Sequence, residues 1–170
     1  ASLVPVLLGT VYAYTVVSRI RWSLFLAMLV ASFLIQTATN LFNEYYDYMR
    51  GLDTKDSVGI GGTIVHDGAS PRFVMGLALG AYALALLLGL FICWQSSWWL
   101  AVLGACFMLI GYLYTGGPYP IAASPFGELF AGLCMGGGIT CITFFIQTGF
   151  INWQCFWLSL PIVLLIGMIL

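Results

Sequence analysis

The sequence predicts an all-α fold: a polytopic bundle of transmembrane helices, built as a single domain over residues 1–170. Three observations lead there. Hydrophobic residues make up 62% of the chain and charged residues 6%, where a soluble domain carries about a quarter charged residues. No charge occurs between Arg72 and Glu128, or anywhere after Glu128, and each of these runs exceeds the ~20 residues that cross a bilayer once. The apolar runs are broken by proline, glycine and polar clusters. Backbone groups in lipid must be satisfied within their own segment, which selects helices over open strands.

Six spans follow in order. The first covers about residues 3–17 and closes at Ser18, with Arg19 and Arg21 beyond it. The second covers residues 22–48. A polar loop of residues 48–72 comes next, and a third span covers residues 73–93, ended by Gln95, Ser96 and Ser97. The fourth covers residues 98–114. Trp94, Trp98 and Trp99 flank the short turn between these two, where amphipathic rings favour the membrane interface. TGGPYPIAASPFG then interrupts the helices, because its prolines and glycines cannot continue one and must form a structured loop. A fifth span covers residues 128–150, and a sixth begins near Trp153. Residue 1 is Ala, and the sequence stops inside the apolar run LPIVLLIGMIL, so continuation at both ends is expected. The first segment has no positively charged n-region and does not read as a signal peptide.

Composition also excludes some functions. A net charge of −1 with no basic patch gives no footprint for nucleic acid. The five cysteines sit in apolar runs without CxxC spacing and read as small core side chains. With a single histidine, no thiolate–imidazole metal centre can be built. The expected location is the cell membrane, as a multi-pass protein. Arg50, Lys55 and Arg72 lie on one side, and Arg19 and Arg21 on the other. This slight excess puts the polar loop on the cytoplasmic side.

Eight of the eleven charged residues, and the histidine, fall between Glu44 and Arg72. Charge is costly beside a membrane, so the cluster marks a functional site. On the second span Gln36, Asn40, Asn43, Glu44 and Asp47 share one helical face, a polar stripe about 16 Å long at 1.5 Å per residue. Such a face lines an interior cavity or forms an interhelical hydrogen-bond seam. Gln36 fits the seam. Asn43 and Asp47 fit a site, since a buried carboxylate needs a cation and the stripe contains no basic residue.

Gly51 can end the helix and fold the chain back, bringing Asp53 and Asp56 close behind. Amide and carboxylate oxygens suit Mg²⁺, which typically takes one or two carboxylates and leaves its other positions to water and phosphate. Through such an ion an acidic site attracts a diphosphate and neutralises it as it leaves. Asn43 and Asp47, with Asp53 and Asp56 behind them, are therefore the expected catalytic and metal-binding residues. Asn40, Arg50, Lys55 and Arg72 are expected around the diphosphate. Gly59, Gly61 and Gly62 either present N–H groups to phosphate oxygens or simply make the loop flexible. His66 reads as a solvated loop residue. Glu128 either complements a helix N-terminus or reaches the site across the proline-rich loop. An ion-coupled transporter is the alternative, but the acids gather at one membrane face and no internal repeat is visible.

The segment ATNLFNEYYDYMRGLD, with the spacing Asn-x3-Asp-x5-Asp at Asn43, Asp47 and Asp53, resembles the first aspartate-rich motif of the UbiA superfamily of membrane prenyltransferases. GIGGTIV behind it, and GYLYTGGPYPIAASPFGELFAG at the exit of the fourth span, are more similar to the menaquinone branch than to the ubiquinone branch. The resemblance covers essentially the whole chain. It implies a nine-helix bundle around a central cavity, of which six spans are visible. It also implies Mg²⁺-dependent transfer of a polyprenyl group from polyprenyl diphosphate to an aromatic acceptor. In that branch the acceptor is 1,4-dihydroxy-2-naphthoate and the product demethylmenaquinol; 4-hydroxybenzoate, homogentisate and haem are the acceptors elsewhere. By the same likeness Asn43 and Asp47 match positions that bind Mg²⁺ and diphosphate, Asp53 is the motif's last acid, and Tyr114 joins the diphosphate site. Ubiquinone-type members carry a lysine four residues after that tyrosine. Pro118 stands there in this chain, so another cation must meet the diphosphate. A second aspartate-rich motif is expected beyond Leu170, so the visible chain holds half of a two-motif site.

Overall fold

The computed structural model describes residues 2–53 and 63–169. They form six helices: α1 (Leu3–Val17), α2 (Trp22–Met49), α3 (Pro71–Gln95), α4 (Leu100–Thr115), α5 (Gly127–Thr148) and α6 (Trp153–Ile169). One 3-10 turn, Ile121–Ala123, lies between α4 and α5. Among these, α2, α3 and α5 are long and apolar enough to cross a membrane, while α1, α4 and α6 are shorter apolar helices. All six predicted spans are present as helices.

The boundaries differ from expectation where side chains cap the helices. Helix α3 starts two residues early because Ser70 Oγ accepts the Phe73 N–H at 3.2 Å, with Pro71 preset in the first turn. Helix α4 begins two residues late, since Ser97, Trp98 and Trp99 spend their carbonyls on the turn that leads into it. Helix α5 is not uniform. Its middle, Gly132–Gly138, is π-helical; Gly132, Gly136 and Gly137 let α6 approach closely, while Gly138 lies against the Phe107 ring of α4. A Cβ at Gly136 would lie 2.9 Å from the Val163 backbone, and one at Gly132 would lie 2.4 Å from the Val163 carbonyl oxygen. Thr140, Thr143 and Thr148 return their hydroxyls to carbonyls four residues back, so these polar groups are satisfied inside an apolar bundle.

Neighbouring helices alternate in direction, and each face of the bundle is tied by one arginine. At the first face Arg21 Nη2 donates to the Gln95 carbonyl at 2.7 Å and Nη1 to the Ile146 carbonyl at 3.4 Å. Its backbone exchanges bonds with the Gln147 side chain. These contacts occupy carbonyls at the ends of α3 and α5 that have no partner within their own helix. Trp22, Trp94, Trp98, Trp99 and Trp153 are exposed around the same face, as expected of an interfacial belt. The second face holds the C-terminal ends of α2 and α4 and the N-terminal ends of α3 and α5. The core matches this division. Val6, Leu24, Met28, Ile92, Leu100 and Ile146 pack toward the first face; Ala38, Phe42 and Ala78, with Tyr46, Tyr82 and Tyr112 against them, pack toward the second.

Candidate active site at the tip of helix α2

The end of α2 is set by Gly51, whose φ of +71° is a left-handed conformation that costs other residues energy. Gly51 N–H donates to the Tyr48 carbonyl at 3.0 Å and Leu52 N–H to the Asp47 carbonyl at 2.9 Å. These are the two bonds of a Schellman motif. The next amide, Asp53 N–H, also turns toward the Asp47 carbonyl, at 3.4 Å. Six residues of backbone thus fold Asp53 back over the helix tip, and Asp47 feels the negative charge of Asp53.

A cavity of about 940 Å³ opens among α2, α3, α4 and α5. Its polar end is lined by Gln36, Asn40, Asn43, Glu44, Asp47 and Asp53, with Tyr114 of α4 across from them. All five residues of the polar stripe therefore face one space. The remaining wall is apolar and reaches Met28, Ile92 and Leu100 near the other face. From Met28 to Asp47 the cavity as a whole, polar end included, runs about 28 Å along α2 at 1.5 Å per residue.

Gln36 belongs to the seam as well: its Oε1 accepts the Ser2 N–H at 3.0 Å and the Ser2 hydroxyl at 2.5 Å, holding the start of α1. Glu44 has a structural task that its place in the stripe does not reveal. Its carboxylate accepts the Ile64 N–H at 2.8 Å and the Thr63 hydroxyl at 3.2 Å, anchoring the loop as it returns.

The expectation that Asp47 has no basic neighbour on its face is corrected. Arg50, three residues on, brings Nη1 to 3.9 Å from Asp47 Oδ1, because a spacing of three on a helix makes the two side chains neighbours. Arg50 Nη2 also donates to the carbonyls of Thr115 at 2.7 Å and Gly117 at 2.8 Å. Its guanidinium lies 5.4 Å from the centre of the Tyr46 ring. It therefore staples the end of α4 to the end of α2, as Arg21 does at the opposite face, and lies beside the loop containing Pro118. Tyr46 and Tyr112 join hydroxyls at 2.7 Å, and Phe42 meets Tyr82 and Tyr112 edge-on at 5.1 and 5.4 Å. This aromatic wedge fixes α2 against α3 and α4 just below the acids.

A second cavity, about 480 Å³, lies beside the first. Tyr114 and Thr115, the loop after α4, Leu52, Arg50 and Glu128 line it, together with Asn43 and Asp47. Glu128 thus does both things expected of it: it occupies the first turn of α5 and faces the acids across the proline-rich loop. Arg72, in the first turn of α3, is exposed and lines neither cavity, and His66 is exposed in the returning loop. Lys55, Asp56, Gly59, Gly61 and Gly62 lie outside the described residues.

Among the described residues no three His, Cys, Asp or Glu side chains gather as a metal cage. Asn43, Asp47 and Asp53 offer one amide oxygen and two carboxylates to the same cavity. That donor set fits a hard divalent ion that completes its shell with water and phosphate. The Arg50 staple, the Glu44 anchor and the second cavity are not legible in the sequence, because all three depend on partners distant in the chain.

The model of the UbiA prenyltransferase family matches residues 2–170. The chain is 59% identical over 169 residues to 1,4-dihydroxy-2-naphthoate octaprenyltransferase of Bacillus subtilis, covering 99% of this chain and 54% of that protein. It is 36% identical over 128 residues to the protein of the same name from Mycobacterium tuberculosis, covering 75% of this chain and 43% of the relative. With UbiA prenyltransferase domain-containing protein 1 of Danio rerio it shares 33% identity over 120 residues, 69% of this chain and 35% of the relative. The chain spans about half the length of the first of these relatives, and less of the others. An all-helical membrane bundle, the aspartate-bearing tip of α2 and a match over nearly every residue lead to one conclusion: the chain belongs to the UbiA prenyltransferase family.

Proposed function

We propose that the protein transfers a polyprenyl group from polyprenyl diphosphate to 1,4-dihydroxy-2-naphthoate, giving demethylmenaquinol in menaquinone biosynthesis. The observation that supports this reading most is the larger cavity: one continuous space joins an acidic, amide-bearing end to a long apolar wall. A diphosphate headgroup with a hydrocarbon tail has the same division of chemistry. The named function of the Bacillus subtilis relative, at 59% identity, supports the acceptor.

In this reading Asn43, Asp47 and Asp53 hold Mg²⁺, with Asn40 and Tyr114 beside them. When bound, the ion neutralises the diphosphate and stabilises it as a leaving group. Arg50 and, from the loop, Lys55 supply further positive charge toward the phosphates; Arg72, exposed in the first turn of α3 and outside both cavities, does not. The apolar wall orients the tail so that the allylic carbon sits at the polar end. Heterolysis of the allylic C–O bond sends its electron pair to the diphosphate. The acceptor ring carbon then forms the new C–C bond, and the carboxylate leaves as carbon dioxide. No side chain forms a covalent intermediate; the chain contributes position and electrostatics. The face of Tyr114 shields the carbocation; Tyr45, Tyr46 and Tyr112, also candidates from the sequence, line neither cavity. The same reading locates the protein in the cell membrane with the tip of α2 on the cytoplasmic side, where Arg50, Lys55 and Arg72 give the positive excess.

The test uses the full-length protein. Asp47→Ala and Asn43→Ala should each lower prenyl transfer by about 10²–10³-fold, the usual loss when a group stabilising developing charge is removed. Membrane insertion should be unchanged. Near-normal turnover by Asp47→Ala would refute the assignment.

A further inference from the structure

We infer that Cys141 of α5 and Cys155 of α6 form a redox-active pair, a modification site at which a disulfide cross-links the two helices. The inference goes beyond prenyl transfer and does not depend on it. Nothing in the spacing of the five cysteines announces the pair; packing assembles it. Cys155 is buried beside Ala13 and Phe144, and Cys141 packs against the same cluster from α5. Cys155 Sγ donates to the Thr140 carbonyl at 3.8 Å, one residue from Cys141. The two thiols lie within hydrogen-bonding reach of each other.

The start of α6 is fixed, which holds Cys155 in place. Tyr12 of α1 donates its hydroxyl to Gln154 Oε1 at 2.8 Å and accepts Asn152 Nδ2 at 3.0 Å. Asn152 accepts the Gln154 N–H on its side-chain oxygen at 2.9 Å and the Cys155 N–H on its carbonyl at 3.0 Å. The Tyr12 ring also stacks on Phe144, 5.1 Å between centres, so one tyrosine ties α6 to the turn of α5 that follows Cys141. Thiols held together in this way react as an intramolecular pair. Neither cysteine lines a cavity of the proposed site. Both lie toward the face of Arg21 and the tryptophans, which the proposed orientation puts away from the cytoplasm, where disulfides persist. Cys155 is buried and Cys141 half-buried in an apolar bundle, so the oxidant has to arrive through lipid. A lipid-soluble quinone meets that need. Cys141, the more exposed thiol, meets the quinone, and Cys155 closes the bond. In net terms two S–H bonds break and one S–S bond forms. The two electrons and two protons pass to the quinone, which leaves as the quinol.

The test uses the full-length protein in detergent with duroquinone, whose ring carbons all carry methyl groups that block thiol addition. After incubation the protein is denatured, alkylated and digested, and its peptides are read by mass spectrometry. The expected result is joint loss of alkylation at Cys141 and Cys155, a linked peptide containing both, and full recovery with dithiothreitol. Cys106, exposed on α4, should stay alkylated. In Cys155→Ala the loss at Cys141 should be slower by a factor on the order of ten or more, since no second thiol is held beside it. Full alkylation of both cysteines would overturn the inference, as would equally fast oxidation of Cys141 in Cys155→Ala, or a disulfide joining either one to a different cysteine instead. Prenyl transfer is read separately, from product formation, so the two readings fail independently.

Discussion

The Arg50 side chain ties two helix ends together at the tip of α2. Its guanidinium bonds two backbone carbonyls at the end of α4 and reaches Asp47 on its own helix. Lysine would keep only part of this arrangement, since its single ammonium lacks the second nitrogen that faces Asp47 and the planar guanidinium that lies over the Tyr46 ring. Hydrogen bonds from charged groups contribute about 1.5–3 kcal/mol each. Arg50→Ala should therefore lower the thermal unfolding temperature in detergent by several degrees, and Arg50→Lys should recover only part of the loss. An unchanged melting temperature in Arg50→Ala would show that the staple is not holding the bundle. The sequence could not reveal this bond, because its acceptors are carbonyls 65 and 67 residues away, and every residue type supplies a carbonyl. What it did reveal was Asn43, Asp47 and Asp53 converging on one space. The helical period fixes the first two, and Gly51 returns the third.

Among the elements, α5 departs furthest from expectation. Its length and position were legible from hydrophobicity, since a charge-free run bounded by the proline-rich loop and Gly149 has little choice. Its π-helical centre was not legible, because the wider turn changes hydrogen-bond register without changing composition. The run GLCMGGG marks the place, but only the packing gives the reason: Gly132 and Gly136 lie against the α6 backbone at Val163. Gly136→Ala would put a methyl 2.9 Å from the Val163 Cα and N atoms, a contact that backbone cannot yield to easily. Overpacking of this kind costs about 1–3 kcal/mol. Gly104→Ala makes the contrast, since a Cβ there meets nothing within 4 Å. Thermal melts should show a clear loss for Gly136→Ala and none for Gly104→Ala; equal behaviour would mean that α5 and α6 do not pack this closely. The boundaries of α3 and α4 missed by two residues for a simpler reason. Apolarity locates a span, while a cap such as Ser70 with Pro71 fixes its first residue.

Across the whole molecule, the two faces of the bundle are built alike and used differently. Each carries an arginine that ties helix ends together, yet only one face gathers the amide and carboxylate groups. The cavity, apolar at one end and polar at the other, runs along most of the length of α2. This polarity of design accounts for a membrane protein with 6% charged residues that keeps most of them in one short stretch. Under the proposed function, binding of the donor depends on a divalent ion, because Asp47 and Asp53 repel a bare diphosphate. Equilibrium binding of polyprenyl diphosphate to the full-length protein in detergent, with Mg²⁺ and then with excess chelator, tests that dependence. Binding should weaken at least 100-fold on chelation, and Asp47→Ala should bind weakly in both conditions. Equal affinity with and without the metal would contradict the account, because the acids at the tip of α2 would then have no part in holding the diphosphate.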